Sequence, residues 1–195
     1  MKISLKQNEY TSAVAWALVP PYRSTLVTTK SQKRLIPGKL KETLFLRNFG
    51  VKSGKLGELL VSETLRKRDV GVESITSAAA LVNSVGNKQI PDFLTDNYIV
   101  EVKTSTWCTG GTAGEKVLAV PYKYAELPEL YQRPLIIVGV AFQEWQMSNQ
   151  RDMQVFGENV PNVRREMLDL WKKQNIHYVK FSDIVNGTVD LSVPM

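Results

Sequence analysis

Apolar and polar positions recur along this chain with two different periods, and the change of period marks its elements. Residues 10–20 form a short apolar run that stops at Pro20-Pro21. The stretch 21–40 is rich in Thr, Ser, Lys and Pro and reads as a loop or arm, with Pro37-Gly38 as a turn. Over 39–49, Leu40, Leu44, Phe45 and Phe49 return at helical spacing, and Gly50 supplies a stop. A second helix, SGKLGELLVSETLRKR, starts with Ser53 as its N-cap. Leu56, Leu59, Leu60 and Leu65 form its apolar face, and Arg66, Lys67 and Arg68 sit where the helix dipole favours cations.

The period then falls to two. VGVESIT at 70–76 predicts a strand with Val70, Val72 and Ile75 inward, whereas the stretch from Ala78 to Gly86 fits neither period. Lys88 to Leu94 and Tyr98 to Thr104 predict two strands joined by a turn at Asp96-Asn97. A Gly-rich loop, 109–114, leads to a helix over Glu115 to Tyr131, with Pro121 at a boundary or kink. LIIVGVAF, after Arg133-Pro134, has the continuous apolar character of a central buried strand. Residues 143–160 read as polar and irregular. Val163 to Gln174 reads as an amphipathic helix with Val163, Met167, Leu170 and Trp171 on one side, and His177 to Phe181 as a last strand. The order predicts an α/β fold, a mixed sheet with helices on both faces. It divides into a basic N-terminal arm and helix (1–50), a core (51–182) and a C-terminal tail (183–195), together one compact domain.

Composition narrows the class. A chain of 195 residues with 43% hydrophobic and 23% charged residues is neither disordered nor fibrous. No apolar run approaches the roughly 18 residues of a membrane span, and the N-terminus lacks the order of a secretory signal, so no membrane partner is expected. Cys108 is the single cysteine, which fits a reducing compartment, and a cytoplasmic protein is expected. The formal net charge is +6. Arg23, Lys30, Lys33, Arg34, Lys39 and Lys41 fall in a segment with no acid, and they account for the whole excess. Such a segment is either a solvated arm or a contact for a polyanion, most often nucleic acid.

The chemistry concentrates between Pro91 and Lys103. In Ile99-Val100-Glu101-Val102-Lys103, Val100 and Val102 face one side of a strand while Glu101 and Lys103 project from the other. Alone, this is the pattern of a half-buried strand carrying a surface ion pair. Pro91-Asp92 on the preceding strand adds to it, because a hairpin at Asp96-Asn97 brings Asp92 back beside Glu101. Two carboxylates and a backbone carbonyl make a hard-oxygen site of the kind Mg²⁺ prefers. A lysine two residues beyond the acid can orient or help deprotonate an attacking water, or stabilise charge on a phosphate. Together these are the parts needed to hydrolyse a phosphodiester.

Pro91-Asp92 followed by Glu101-Val102-Lys103 resembles the PD-(D/E)XK nuclease superfamily. Gly57-Glu58 resembles the helix-borne Gly-Glu upstream of that motif, and GTAGEKVLAVPYKYAEL resembles a block found in several restriction endonucleases. The resemblance spans roughly 52–142. It implies a restriction-endonuclease-like central mixed sheet flanked by helices. It also implies Asp92, Glu101 and the Val102 carbonyl as metal ligands, Lys103 as the catalytic lysine, and Mg²⁺ as cofactor with Mn²⁺ as substitute. Glu58 would be a further ligand, through water; the alternative is a solvent-facing helix glutamate. Glu73 is the rival upstream acid. Glu63 lies five residues from Glu58 on a different helical face, and so does not share the metal.

The function expected from this resemblance is that of a type II restriction endonuclease acting on double-stranded DNA as a two-fold homodimer. Arg23, Lys30, Lys33, Arg34, Lys39, Lys41, Thr104, Ser105, Lys116 and Lys123 would contact the DNA. The alternatives are a structure-specific repair or junction-resolving nuclease of the same superfamily, and a DNA-binding module without activity. Each contact has a plainer reading. Thr104, Ser105 and Thr106 end a strand; Gly110, Gly111, Gly114 and Lys116 make a helix-entry loop; Tyr122, Tyr124 and Trp107 pack. Gln143 follows the central strand and is a candidate to face the cleft. His177 is the only histidine, which excludes multi-histidine metal sites, and is read as structural. Cys108 lacks a base partner for thiol catalysis, and GGTAGEK lacks the spacing of a P-loop.

Overall fold

The computed structural model describes residues 5–18, 53–105 and 117–194. The basic segment with Arg23, Lys30, Lys33, Arg34, Lys39 and Lys41, the helix read over 39–49 and the Gly-rich loop lie outside the described residues.

The chain folds as a mixed α/β structure around one main sheet. Helix α1 (Gln7–Leu18) and helix α2 (Ser53–Arg66) come first, followed by a small ribbon of β1 (Leu81–Val82) and β2 (Lys88–Gln89). β3 (Phe93–Leu94) and β4 (Ile99–Ser105) form a hairpin, and α3 (Val120–Lys123) and α4 (Leu127–Tyr131) lead to β5 (Leu135–Ala141). α5 (Phe142–Asn149), α6 (Asn162–Lys173), β6 (Ile176–Lys180) and α7 (Phe181–Asn186) complete the order. The main sheet runs β3-β4-β5-β6. β3 is antiparallel to β4, whereas β4, β5 and β6 are mutually parallel, as strands joined through helices must be when the helices cover the faces.

Every residue of β5 is buried, as its unbroken apolar sequence requires. Val100, Val102, Ile136, Val138 and Val140 pack against Leu56, Leu59 and Leu60 of α2, together with Ala13 and Ala17 of α1 and Ile184 of α7. Ile99, Leu135 and Ile137 face the other way, onto Val120, Tyr124 and Leu127. The β-strand alternation thus feeds two cores, one on each side of the sheet.

Several elements differ from the sequence reading. Over 70–76 only one antiparallel bridge forms, Glu73 with Leu94, because β3 offers two residues to pair with. Lys88 to Leu94 is not one strand: Pro91 has no N–H for a ladder, so β2 and β3 join different sheets. The helix read over 115–131 breaks into α3 and α4, each with a proline in its first turn, where proline is tolerated and beyond which it is not. Residues 143–160, read as irregular, begin with α5. Its buried side chains include Gln143 and Gln146 beside Phe142 and Met147, so polarity disguised its period. On α6 the stripe Val163, Met167 and Leu170 is exposed; the helix docks on the edge strand β6 through Leu168 and Trp171 instead. The last residues are no loose tail, since α7 extends to Asn186 and Leu191 is buried in the core. No described helix is long and apolar enough to cross a membrane.

Candidate active site

The site grows out of the β3–β4 hairpin. Its turn is closed by Thr95, whose N–H donates to the Tyr98 carbonyl at 2.8 Å and whose hydroxyl accepts from the Tyr98 N–H at 3.0 Å. This turn sets the register, Phe93 opposite Val100 and Leu94 opposite Ile99, so the next position back places Asp92 across from Glu101. Asp92 Oδ2 accepts a hydrogen bond from the Val102 N–H at 2.6 Å, which ties the Pro-Asp step to the acid-bearing strand. Glu101 and Lys103 project from the face of β4 opposite Val100 and Val102, and their side chains form an ion pair through Glu101 Oε1.

Burial makes this cluster electrostatically tense. Glu101 is only 4% exposed, and its Oε2 has no hydrogen-bond partner among the described residues. An unsatisfied buried carboxylate oxygen is costly and calls for a cation or a donor. The Asp92 carboxyl is pushed up to about 7, first by burial, then by the charge of Glu101 and, less, of Glu58; the Val102 N–H and the Lys103 ammonium oppose the shift. Two crowded acids and an orphaned oxygen fit a hard divalent cation. The fit rests on Asp92 and Glu101. Glu58 is held by Lys55 at 2.6 Å, and among the described residues no three His, Cys, Asp or Glu side chains gather closely enough to hold a metal between them.

The remaining predicted residues fall unequally around the pair. Gly57 lies where α2 presses on β4: a Cβ there would come within 1.7 Å of Thr104 Oγ1. Only a glycine lets the helix approach this closely, and that approach carries Glu58 into the field felt by Asp92. Thr104 therefore meets a helix, and its hydroxyl has no hydrogen-bond partner among the described residues. Glu73 is exposed and tied to Leu94 through its main chain, and it is not among the charges that shift Asp92. Glu63 pairs with Arg66.

Lys123 is drawn in more closely than its sequence position indicates. Its ammonium donates to the Tyr124 hydroxyl at 2.9 Å, and its pKa is raised first by that bond, with Glu101 and Asp92 adding to the shift against the opposing effect of burial. Tyr124 itself packs in the core, whereas Tyr122 is 82% exposed. Gln143 is buried, and its side-chain amide nitrogen has no hydrogen-bond partner among the described residues. His177 is half-buried, its pKa lowered by burial and secondarily by Lys172. The Ser105 side chain, together with Thr106, Trp107, Cys108, Gly110, Gly111, Gly114 and Lys116, lies outside the described residues.

Sequence reasoning missed the Gly57–Thr104 approach and the Lys55–Glu58 pair. A glycine in the interior of an otherwise strong helix was the available signal for the first. Comparisons with protein-family models, with curated proteins and with solved structures found no match for this chain.

Proposed function

We propose that this chain is a Mg²⁺-dependent endodeoxyribonuclease of the PD-(D/E)XK, restriction-endonuclease-like kind, hydrolysing phosphodiester bonds in double-stranded DNA. The observation that carries this reading is the convergence of Asp92 and Glu101 across one hairpin register, with Lys103 paired to Glu101 and the other Glu101 oxygen without a hydrogen-bond partner among the described residues. Asp92, Glu101 and the Val102 carbonyl would hold the ion, with Glu58 reaching it through water. When bound, Mg²⁺ (or Mn²⁺) supplies an acidified water and neutralises charge on the leaving oxygen. Lys103 exchanges its Glu101 partner for a phosphate oxygen, orienting the attacking water and stabilising the charge that builds during in-line displacement. Lys123, already in the field of both acids, offers a second cation to the DNA backbone. The basic segment from Arg23 to Lys41 holds further phosphates, and a two-fold dimer matches duplex symmetry.

Incubation of supercoiled plasmid with Mg²⁺ tests the reading. Nicking or linearisation is expected, with Asp92→Ala and Lys103→Ala each lowering it by roughly a hundredfold or more. Absence of Mg²⁺-dependent nicking, or nicking that survives both changes, overturns it. Discrete mapped ends from plain duplex mark a restriction enzyme; cutting confined to branched substrates marks a structure-specific nuclease.

A further inference from the structure

The β1–β2 ribbon stands apart from the main sheet, yet it is rigidly held. Its turn is closed by Asn83, whose main chain accepts from Gly86 at 3.0 Å and donates to Asn87 at 2.9 Å, while its side chain accepts from the Asn87 N–H at 2.8 Å. Gly86 takes the positive φ of 83° that this turn needs. The ribbon is then clamped to the helices behind it. Glu126 accepts from the Ser84 N–H at 2.7 Å and from the Ser84 hydroxyl at 2.8 Å. Tyr131 bridges both strands, its hydroxyl accepting from the Leu81 N–H at 3.2 Å and donating to the Gln89 carbonyl at 3.0 Å.

What this braced element presents is unusual for a protein surface. Val85 at the tip is 74% exposed, and Leu81, Val82 and Ile90 are exposed beside it. The chain from Ser74 to Pro91 contains no acid at all, and the exposed Asn87 and Lys88 follow the tip. The ribbon is also close to the acids. Val85 precedes Asp92 by seven residues, which bounds their separation at about 24 Å, or about seven base-pair steps. Glu126, which grips the tip, follows Lys123 by three residues, and Lys123 lies in the field of Asp92 and Glu101.

We infer that the β1–β2 ribbon enters the major groove of duplex DNA beside the cleaved bond, with Val82, Val85 and Asn87 meeting base edges. A two-stranded ribbon is one of the few shapes that groove admits. Apolar side chains meet the thymine methyl there and Asn pairs with adenine, while residues 74–91 bring no carboxylate of their own toward the phosphates and the Glu126 carboxylate behind the tip is engaged by Ser84. Preorganisation by Glu126 and Tyr131 means that little ordering entropy is lost on binding. The inference rests on the nuclease reading for its occupant, duplex DNA, and for where the cut falls.

The test is binding of the full chain, in Ca²⁺, to labelled duplex about three helical turns long. A second duplex of the same sequence carries glucosylated hydroxymethylcytosine, which fills the major groove. The wild-type protein is expected to bind the filled duplex about tenfold more weakly than the plain one. Val85→Asp and Asn87→Ala weaken plain-duplex binding by a similar factor and lose the distinction between the two duplexes. Val163→Asp, the same exchange at an equally exposed valine on α6, behaves as wild type. Variants that bind plain duplex like the parent, or a parent indifferent to groove filling, overturn the inference. So does a Val85→Asp protein that keeps its DNA affinity but sheds a co-purifying protein. A wild-type chain that binds through the ribbon yet never nicks plasmid overturns the nuclease reading and supports the ribbon assignment.

Discussion

Asp92 shows what burial beside a second acid asks of a single carboxyl. In the unfolded chain it releases its proton near 3.8, the ordinary aspartate value, whereas in the folded chain burial and Glu101 hold that proton up to about 7. Between those values the folded state binds the proton and the unfolded state does not, so stability falls as pH rises through this window. Asp92→Asn removes the charge but keeps an acceptor for the Val102 N–H. The variant is expected to gain up to a few kcal/mol over the parent at pH 8, fading toward pH 4, as read by urea unfolding across pH. Millimolar Mg²⁺ should narrow the gap, because only the parent offers a second charged ligand. The acids and Lys103 were legible from sequence, since a period of two and a tight turn place them with little freedom. The Lys55 side chain on Glu58 was not: a flexible i,i+3 partner leaves no pattern that distinguishes it from any other helix pair.

At the scale of elements, α2 and β4 are matched at one point. Gly→Ala in a helix interior ordinarily stabilises, by roughly 1 kcal/mol. At Gly57 the sign reverses, because the new Cβ would lie 1.7 Å from Thr104 Oγ1 and 2.9 Å from Thr104 Cβ. Gly57→Ala is expected to cost roughly 1–3 kcal/mol in chemical denaturation. Adding Thr104→Ala should restore part of the loss, which a merely intrinsic glycine effect would not allow. Element boundaries were read less well than element existence, for identifiable reasons. Pro121 and Pro128 cut one expected helix into two, and buried glutamines hid α5. The apolar stripe of α6 was seen correctly as a stripe, but periodicity cannot say whether a neighbour covers it, and here Val163, Met167 and Leu170 face outward.

Across the whole molecule, charge is segregated. The segment from Tyr10 to Lys41 supplies the entire net +6, and the acids of the candidate site belong to the balanced remainder. If the basic segment grips phosphates, replacing Lys33, Arg34, Lys39 and Lys41 with glutamine should flatten the dependence of log affinity on log salt by up to about 3–4 units, measured by titration of duplex at several salt concentrations. Affinity should fall most at low salt, while melting temperature stays level.

The chain's last residues give the hairpin a consequence beyond its own strands. Asn97 donates to the Ser192 carbonyl at 2.6 Å and the Tyr98 hydroxyl donates to the Val193 carbonyl at 2.6 Å, with Leu191 buried between the core elements. The turn that fixes where Asp92 lands is therefore braced by residues almost a hundred positions away. Displacing residues 191–193 would loosen the frame of the site without touching any of its acids.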